Sequence, residues 1–380
     1  MSSTLAPDTV SDRNPISEKD VVSTLDSLGL KAKPQNLGDF TSLLTGIWEV
    51  WDKIEQMDDY VPEVDEVRFP RKDVHRPEGE ANKSNAWAWK CHIEDTTDQS
   101  QNGLLAGKTI NLKDNIAVKG VPCLIGTDLF SDYIPNTDAT VVKRVLEAGG
   151  IIHGKAVCEN MSCWGASCSA ATGRMYNVYA EGFSAGGSSS GTAVLIADGT
   201  SWGGIGGDQG GSIRLPSSMN GIVGLKPTTG LVPYTAIASL EPIVDHTGPM
   251  TRTVLDNALL LQAIAGADGI DDRQQAGCPY PEDVPDYVNL AKQGVKGMKI
   301  GILKESLDQP MHDPRVSELV VKAAKALEEL GCIVDEVSVP MHTLGPELWA
   351  EKFDKMWPSI ANTLINGKVS AYTMTKPEED

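Results

Sequence analysis

Apolar positions recur at helical spacing in two stretches near the start of the chain. Ser17 precedes the first stretch and Asp20 follows three residues later, which is the pattern of a capping box. The second stretch covers residues 40–54 and carries two tryptophans. We therefore predict a flexible tail over residues 1–16 and a helical region over residues 17–75.

The next stretch of sequence lacks such a pattern. Residues 58–103 are rich in charge and proline, with little periodicity. A segment of this composition is typical of a linker or an excursion from the fold. We predict that the main domain covers residues 76–380.

Short apolar runs then alternate with helical patterns. Residues 109–113 and the pair Ile151-Ile152 are typical of strands, and a predicted helix that begins at Asp138 separates them. Later in the chain, Asp313 and Pro314 are the expected start of another helix, which a further strand follows. This alternation predicts an α/β protein with a mixed or largely parallel β-sheet.

Composition and charge exclude several classes of binding partner. The net charge of −19 argues against nucleic acid and against an anionic membrane surface, since both require clustered cations. No apolar run reaches about 18 residues, so no membrane-spanning helix is expected. Seven scattered cysteines favour free thiols and a cytoplasmic location. Six dispersed histidines predict no metal site, and we expect no cofactor, only a small-molecule substrate.

Glycine marks the chemically unusual part of the chain. Of 37 glycines, 17 fall within residues 151–230. Two glycine-rich segments there contain Ser188 and Ser212, each beside several backbone N–H groups, as a nucleophile for acyl transfer requires. No histidine lies near in sequence. Lys113, at the end of an apolar strand, is the candidate base, because burial lowers the pKa of a lysine.

These residues resemble the amidase signature family. Ser188 lies 75 residues after Lys113 and 24 before Ser212, which are the usual intervals of that family. Flanking segments are also similar, over roughly residues 84–335, with a signature core of about 104–255. The segments are 107–116, 138–140, 154–160, 221–230 and 245–254. A nucleophile elbow of the α/β-hydrolase type and a nucleotide-binding loop fit these residues less well.

The resemblance implies a fold and a mechanism. The sheet would carry helices on both faces. Ser212 would attack the amide carbon, and Ser188, after a cis peptide bond, would relay the proton to a neutral Lys113. The resemblance implies an oxyanion hole of four backbone N–H groups: Gln209, Gly210, Gly211 and Ser212. Ser189, Asp208 and Arg214 would support this set by hydrogen bonds and an ion pair.

Two features differ from the commonest pattern of the family. Gln209 stands where many members have Thr or Ile, and it resembles the branch of amidases that accompany nitrile hydratases. The chain stops at Asp380, before the point where members usually end, so a truncated C-terminal part is one interpretation.

Three hypotheses remain open at this stage. The first is an amidase that releases an acid and ammonia or an amine. The second is a glutaminase subunit of an amidotransferase, and the third is a truncated, inactive amidase-like protein. We also predict a homodimer through the N-terminal helices, which sedimentation can test.

Overall fold

The computed structural model describes residues 9–31, 33–58, 60–307, 309 and 312–351. The chain divides into two compact units, residues 1–60 and 61–380. Residues 61–75, which the sequence analysis placed with the helical region, belong to the second unit, because Phe69 is buried in its core. Residues 352–380, the end of the domain predicted over residues 76–380, lie outside the described residues, as do residues 1–8 of the predicted tail.

The described residues of the first unit contain two α-helices, α1 (Glu18–Ser27) and α2 (Leu37–Glu55). The predicted capping box is present, since the Ser17 side chain accepts from the Asp20 N–H and the Asp20 side chain accepts from the Ser17 N–H. One face of α2 exposes large apolar side chains, with Trp51 68% exposed. The homodimer through these helices stays a prediction.

The second unit is built on a seven-stranded sheet with the order β1-β2-β4-β3-β5-β7-β6. The three central strands β4, β3 and β5 are parallel, and the flanking pairs are antiparallel. The mixed α/β sheet predicted from the sequence is confirmed. The strands are β1 (Lys72–His75), β2 (Trp87–Ile93), β3 (Thr109–Lys113), β4 (Ile151–Ala156), β5 (Gly203–Asp208), β6 (Val223–Gly224) and β7 (His246–Thr251).

Helices cover both faces of this sheet. On one face, Ile110 and Leu112 of β3 pack in the main core against two helices, α3 and α6. On the other face, α4 lies against the three central strands and also contacts α5. Their bounds are α3 (Thr140–Glu147), α4 (Ser190–Ala197), α5 (Arg214–Met219) and α6 (Val254–Ile264). Asn111 and Lys113 therefore point to the α4 side, because side chains alternate along a strand.

A smaller parallel sheet of two strands follows, formed by β8 (Lys299–Leu303) and β9 (Ile333–Val337). Before it, α7 (Tyr287–Leu290) packs on α6 of the main core. Between the two strands lie α8 (Lys304–Leu307) and α9 (Pro314–Glu329), and α9 contacts both strands. Asp313 caps α9, as the sequence predicts.

Two local predictions were wrong. The segment 58–103 contains β1 and β2, and β2 pairs with β4 and has four buried residues, so it is part of the sheet rather than a linker. Asp138 does not begin a helix, since α3 starts at Thr140. The Asp138 carboxylate instead accepts from the Lys119 N–H and pairs with the buried Arg71.

Candidate active site

The predicted site residues lie at the carboxyl edge of the parallel strands. Lys113 is the last residue of β3, and Asp208 is the last residue of β5. The loop after β5 carries Gln209 to Ser212, and the long connection after β4 ends at Ser188. Loops at this edge of a parallel sheet are where α/β proteins commonly bind ligands.

Lys113 and Ser188 are in direct contact. The two side chains are fully buried, and Lys113 Nζ lies 2.8 Å from Ser188 Oγ. The peptide bond between Gly187 and Ser188 is cis. Lys113 Nζ also donates to the carbonyl oxygen of Gly207, at 3.4 Å. Within the described residues, no carboxylate forms an ion pair with Lys113.

Burial lowers the pKa of Lys113 below the ordinary value for a lysine. Cys158, Asp208 and Asp245 act in the opposite direction, but they do not cancel the effect of burial. A second buried lysine gives the contrasting case. Lys155, on neighbouring β4, lies 3.1 Å from the Asp114 carboxylate. Burial disfavours its charge as well, yet Cys123 and Asp114 raise its pKa overall. We conclude that Lys155 is a structural cation, whereas Lys113 is suited to act as a base.

Ser212 lies on the wall of a pocket of about 320 Å³. Within the described part of the chain, its hydroxyl has no hydrogen-bond partner, and no bond joins it to Ser188. Catalytic hydrogen bonds are often long in the absence of substrate, so this geometry leaves Ser212 available as a nucleophile. The lining residues are Ser162, Cys163, Trp164, Gly165, Gly187, Gln209, Gly210, Gly211, Ser212, Leu215, Leu240, Trp349 and Ala350.

Hydrogen bonds and an ion pair between Asp208 and Arg214 fix the loop that joins these two residues. Arg214 makes two hydrogen bonds of 2.9 Å to the Asp208 carboxylate, which also accepts from the N–H groups of Gly211 and Ile213. Burial opposes the charge on Asp208, but Arg214 and these donors lower its pKa overall. Ser189 Oγ lies 3.2 Å from both the N–H and the carbonyl oxygen of Gly207.

The four backbone donors predicted for an oxyanion hole differ in their availability. The N–H of Gly211 is occupied, because it donates to Asp208 Oδ1 at 2.8 Å. Those of Gln209, Gly210 and Ser212 have no partner among the described residues. The structure therefore leaves three donors for a developing negative charge rather than four.

Trp349 lies on the pocket wall and contacts this loop. Its indole Nε1 donates to the carbonyl oxygen of Gln209 at 3.2 Å. A Cβ at Gly210 would come within 2.7 Å of its ring, so only glycine permits this close approach. Trp349 was not predicted as a site residue, since nothing near it in sequence relates it to the glycine-rich segments.

Glu159 was also missed, although it shapes the pocket wall. Its fully buried carboxylate accepts from the N–H groups of Ala166, Cys168 and Ser169 and from the Ser169 hydroxyl. The loop that it holds supplies four of the pocket residues. Four residues of this loop have positive φ, which non-glycine residues seldom adopt: Met161, Ser162, Trp164 and Ser167.

Replacing Glu159 with Gln should destabilise the protein by about 2–4 kcal/mol. The amide nitrogen would face backbone N–H donors, which leaves buried donors without acceptors. Chemical denaturation followed by circular dichroism measures the change. Ser169→Ala is the comparison variant, since it removes two hydrogen bonds, one to Glu159 and one from the N–H of Asn160, but leaves the carboxylate, and it should cost about 1–2 kcal/mol. Equal stability of Glu159→Gln and the wild type would show that the carboxylate does not hold this loop.

Comparison with known proteins agrees with this geometry. The family profile described as Amidase matches residues 80–359. The chain belongs to the amidase signature family. An enantioselective amidase of Rhodococcus rhodochrous is 38% identical over 283 residues, which are 74% of this chain and 53% of that protein.

Solved structures of the same family share the fold. Peptide amidase from Stenotrophomonas maltophilia has a TM-score of 0.58 at 32% identity, covering 65% of this chain and 51% of that one. A component of the glutamyl-tRNA(Gln) amidotransferase from Thermotoga maritima has a TM-score of 0.64 at 29% identity, covering 73% and 59%. The chain spans about half the length of the curated relatives it matches.

Membrane-spanning helices and metal clusters are not found in the described residues. In the portion that the structure describes, no helix has both the length and the apolar character needed to cross a bilayer. Nor do the described residues contain a cluster of three side chains suited to a metal ion. The cytoplasmic location and the absence of a cofactor stay predictions.

Proposed function

We propose that this protein hydrolyses a neutral carboxylic amide to the acid and ammonia or an amine. The observation that carries the proposal is the buried contact between Lys113 Nζ and Ser188 Oγ, 2.8 Å apart, beside a pocket that Ser212 lines. A serine hydroxyl needs a base that removes its proton before it can act as a nucleophile, and a neutral amine at Nζ would be that base.

The proposed reaction begins with attack by Ser212. Its Oγ forms a bond to the amide carbon, and its proton passes to Ser188 Oγ while the Ser188 proton passes to Lys113 Nζ. The carbonyl oxygen becomes negative, and the free N–H groups of Gln209, Gly210 and Ser212 stabilise it. The C–N bond then breaks, and the leaving nitrogen takes the proton back through Ser188.

Water completes the cycle. The acyl group remains as an ester of Ser212 until a water molecule attacks the same carbon. The proton of that water passes through Ser188 to Lys113, and it returns to Ser212 Oγ as the bond from this oxygen to carbon breaks and the acid leaves. Each half of the reaction therefore ends with a neutral Lys113, so one base serves both halves.

The pocket favours an uncharged, apolar acyl group. In the described part of the chain, none of its lining residues has a charged side chain, and two are tryptophans, Trp164 and Trp349. Burying the ammonium and carboxylate of free glutamine there would leave both without a counter-ion, which is unfavourable. This argues against the glutaminase hypothesis, although amidotransferase components are among the relatives.

A panel of amides tests the proposal. We expect phenylacetamide and isobutyramide to release ammonia with a kcat/KM at least about 100-fold above that of glutamine. Glutamine is the matched control, because its primary amide is the same and only the acyl group carries charges. A preference for glutamine would instead support the amidotransferase hypothesis, and release from none of them would support the inactive protein.

A further inference from the structure

The side chain of Gln209 points away from the open pocket into a buried polar cluster. Gln209 is 7% exposed, and its Nε2 donates to Asp245 Oδ1 at 2.8 Å and to the Tyr234 hydroxyl at 3.0 Å. Both amide protons are therefore used. The mechanism above involves only the backbone of this residue, so these two hydrogen bonds need another explanation.

The partner carboxylate is itself held on several sides. Asp245 also accepts from the Ser239 hydroxyl and from the N–H groups of Leu240 and Glu241. Arg273 Nη1 lies 3.6 Å from it. A carboxylate with this many contacts is fixed in position, so it can serve as an anchor for a neighbouring loop.

The sheet brings the anchor to the loop. Asp245 comes directly before β7, which pairs antiparallel with β5, and Asp208 lies opposite His246 in the register. Gln209 and Asp245 are consequently the next residues at the end of the same ladder. Tyr234 completes the cluster, with the Arg273 guanidinium 4.6 Å from its ring centroid.

The loop is thus fixed at two points. Asp208 holds the N–H groups of Gly211 and Ile213, which follow Gly210. The side chain of Gln209 holds the beginning of the loop. The free N–H groups of Gln209 and Gly210 lie in this part of the loop. Their direction depends on the backbone dihedral angles of Gln209.

We propose that Gln209 is a positioning residue, which aims these backbone donors at the substrate oxygen through its hydrogen bonds to Asp245 and Tyr234. This rests on the proposed amide hydrolysis. Without the anchor, the first turn of the loop can rotate, and the donors stabilise the developing oxyanion less well. The ground-state substrate is affected less, because its carbonyl oxygen carries little charge.

The test is steady-state kinetics on phenylacetamide with Gln209→Met, which keeps the length of the side chain and removes both donors. We expect kcat to fall by about 10–100-fold with KM changed less than about threefold, since loss of a whole oxyanion donor costs about 10²–10³-fold. Gln209→Asn, one methylene shorter, should show a smaller fall in kcat. If Gln209→Met does not fold, Gln209→Asn is the variant that tests the proposal.

Tyr234→Phe is the graded comparison, since it removes one of the two acceptors of Gln209 and leaves the bond to Asp245. We expect its kcat to fall by less than about fivefold. An unchanged kcat in Gln209→Met beside an active wild type would overturn the inference and leave the proposed function intact. A parallel rise in KM and loss of thermal stability, with kcat retained, would also overturn it. A wild type without activity on any amide would count against the proposed function instead.

Discussion

Ser212→Ala should reduce ammonia release from a neutral amide by about 10⁴–10⁶-fold, with little change in thermal stability. The variant lacks the only protein atom proposed to form a bond to the substrate carbon. Its hydroxyl has no hydrogen-bond partner among the described residues, so removing it leaves no buried donor or acceptor unpaired. Activity and stability are therefore expected to separate. Ammonia assays and a thermal melt on the same preparation measure both.

Ser190→Ala provides the control for this change. Ser190 lies two residues after Ser188, in the same glycine-rich segment, and its buried hydroxyl has no partner among the described residues. We expect this variant to keep its activity within a few-fold of the wild type. If Ser190→Ala lost as much activity as Ser212→Ala, a general disturbance of the loops would explain both results, and Ser212 would lose its special role.

Lys113→Met should lower kcat by about 10²–10⁴-fold, the usual contribution of a general base. Methionine fits the buried space without a charge, but it cannot accept the proton from Ser188. The role of Lys113 as a base also predicts how the activity depends on pH. Because burial lowers the pKa of Lys113, a neutral amine becomes available at lower pH than for an exposed lysine. Wild-type activity should rise with pH through this lowered pKa.

The residual activity of Lys113→Met should lack this rise. A profile of kcat/KM between pH 6 and 10 for both proteins measures the difference, with thermal melts at each pH as the control for folding. The stability of the folded state should change with pH in the same direction as the activity. Between the lowered pKa and that of the unfolded chain, the folded state binds fewer protons, so stability contributed by Lys113 increases with pH. A wild-type profile that falls as pH rises would contradict a neutral lysine base.

The sequence predicted the parts of the fold in which local rules agree with tertiary structure. Ser17 and Asp313 cap their helices as expected, because a capping hydrogen bond depends on residues only two or three positions away. The strand Thr109–Lys113 was also predicted with its bounds, since its apolar residues face the core on one side. Lys113 and Ser188 are brought together as their family spacing implies.

The strand Trp87–Ile93 was missed for a physical reason. Side chains on both faces are at least partly covered, so its burial does not alternate in the way that marks a strand with one solvent face. The charged and proline-rich residues around it hide the remaining signal. Its pairing with β4 is what makes it a strand, and pairing with a strand so distant in sequence is not visible in a local pattern.

The residues missed at the site share another property, because the role of each depends on partners that no local pattern reveals. Glu159 is a buried carboxylate, and its backbone donors lie in the irregular loop that follows it. Lys155 pairs with Asp114 across two strands. The side chain of Gln209 was treated as a marker of a subfamily, whereas its hydrogen bonds join two separate loops.

Mass spectrometry of the quenched reaction tests the central claim most directly. The wild type, mixed with an excess of phenylacetamide or the corresponding p-nitrophenyl ester and stopped in acid, should carry one additional acyl group. After proteolysis, the acyl group should map to the peptide that contains Ser212, and it should be absent from Ser212→Ala. An acyl group on a different residue, or turnover by Ser212→Ala at the wild-type rate, would contradict the account.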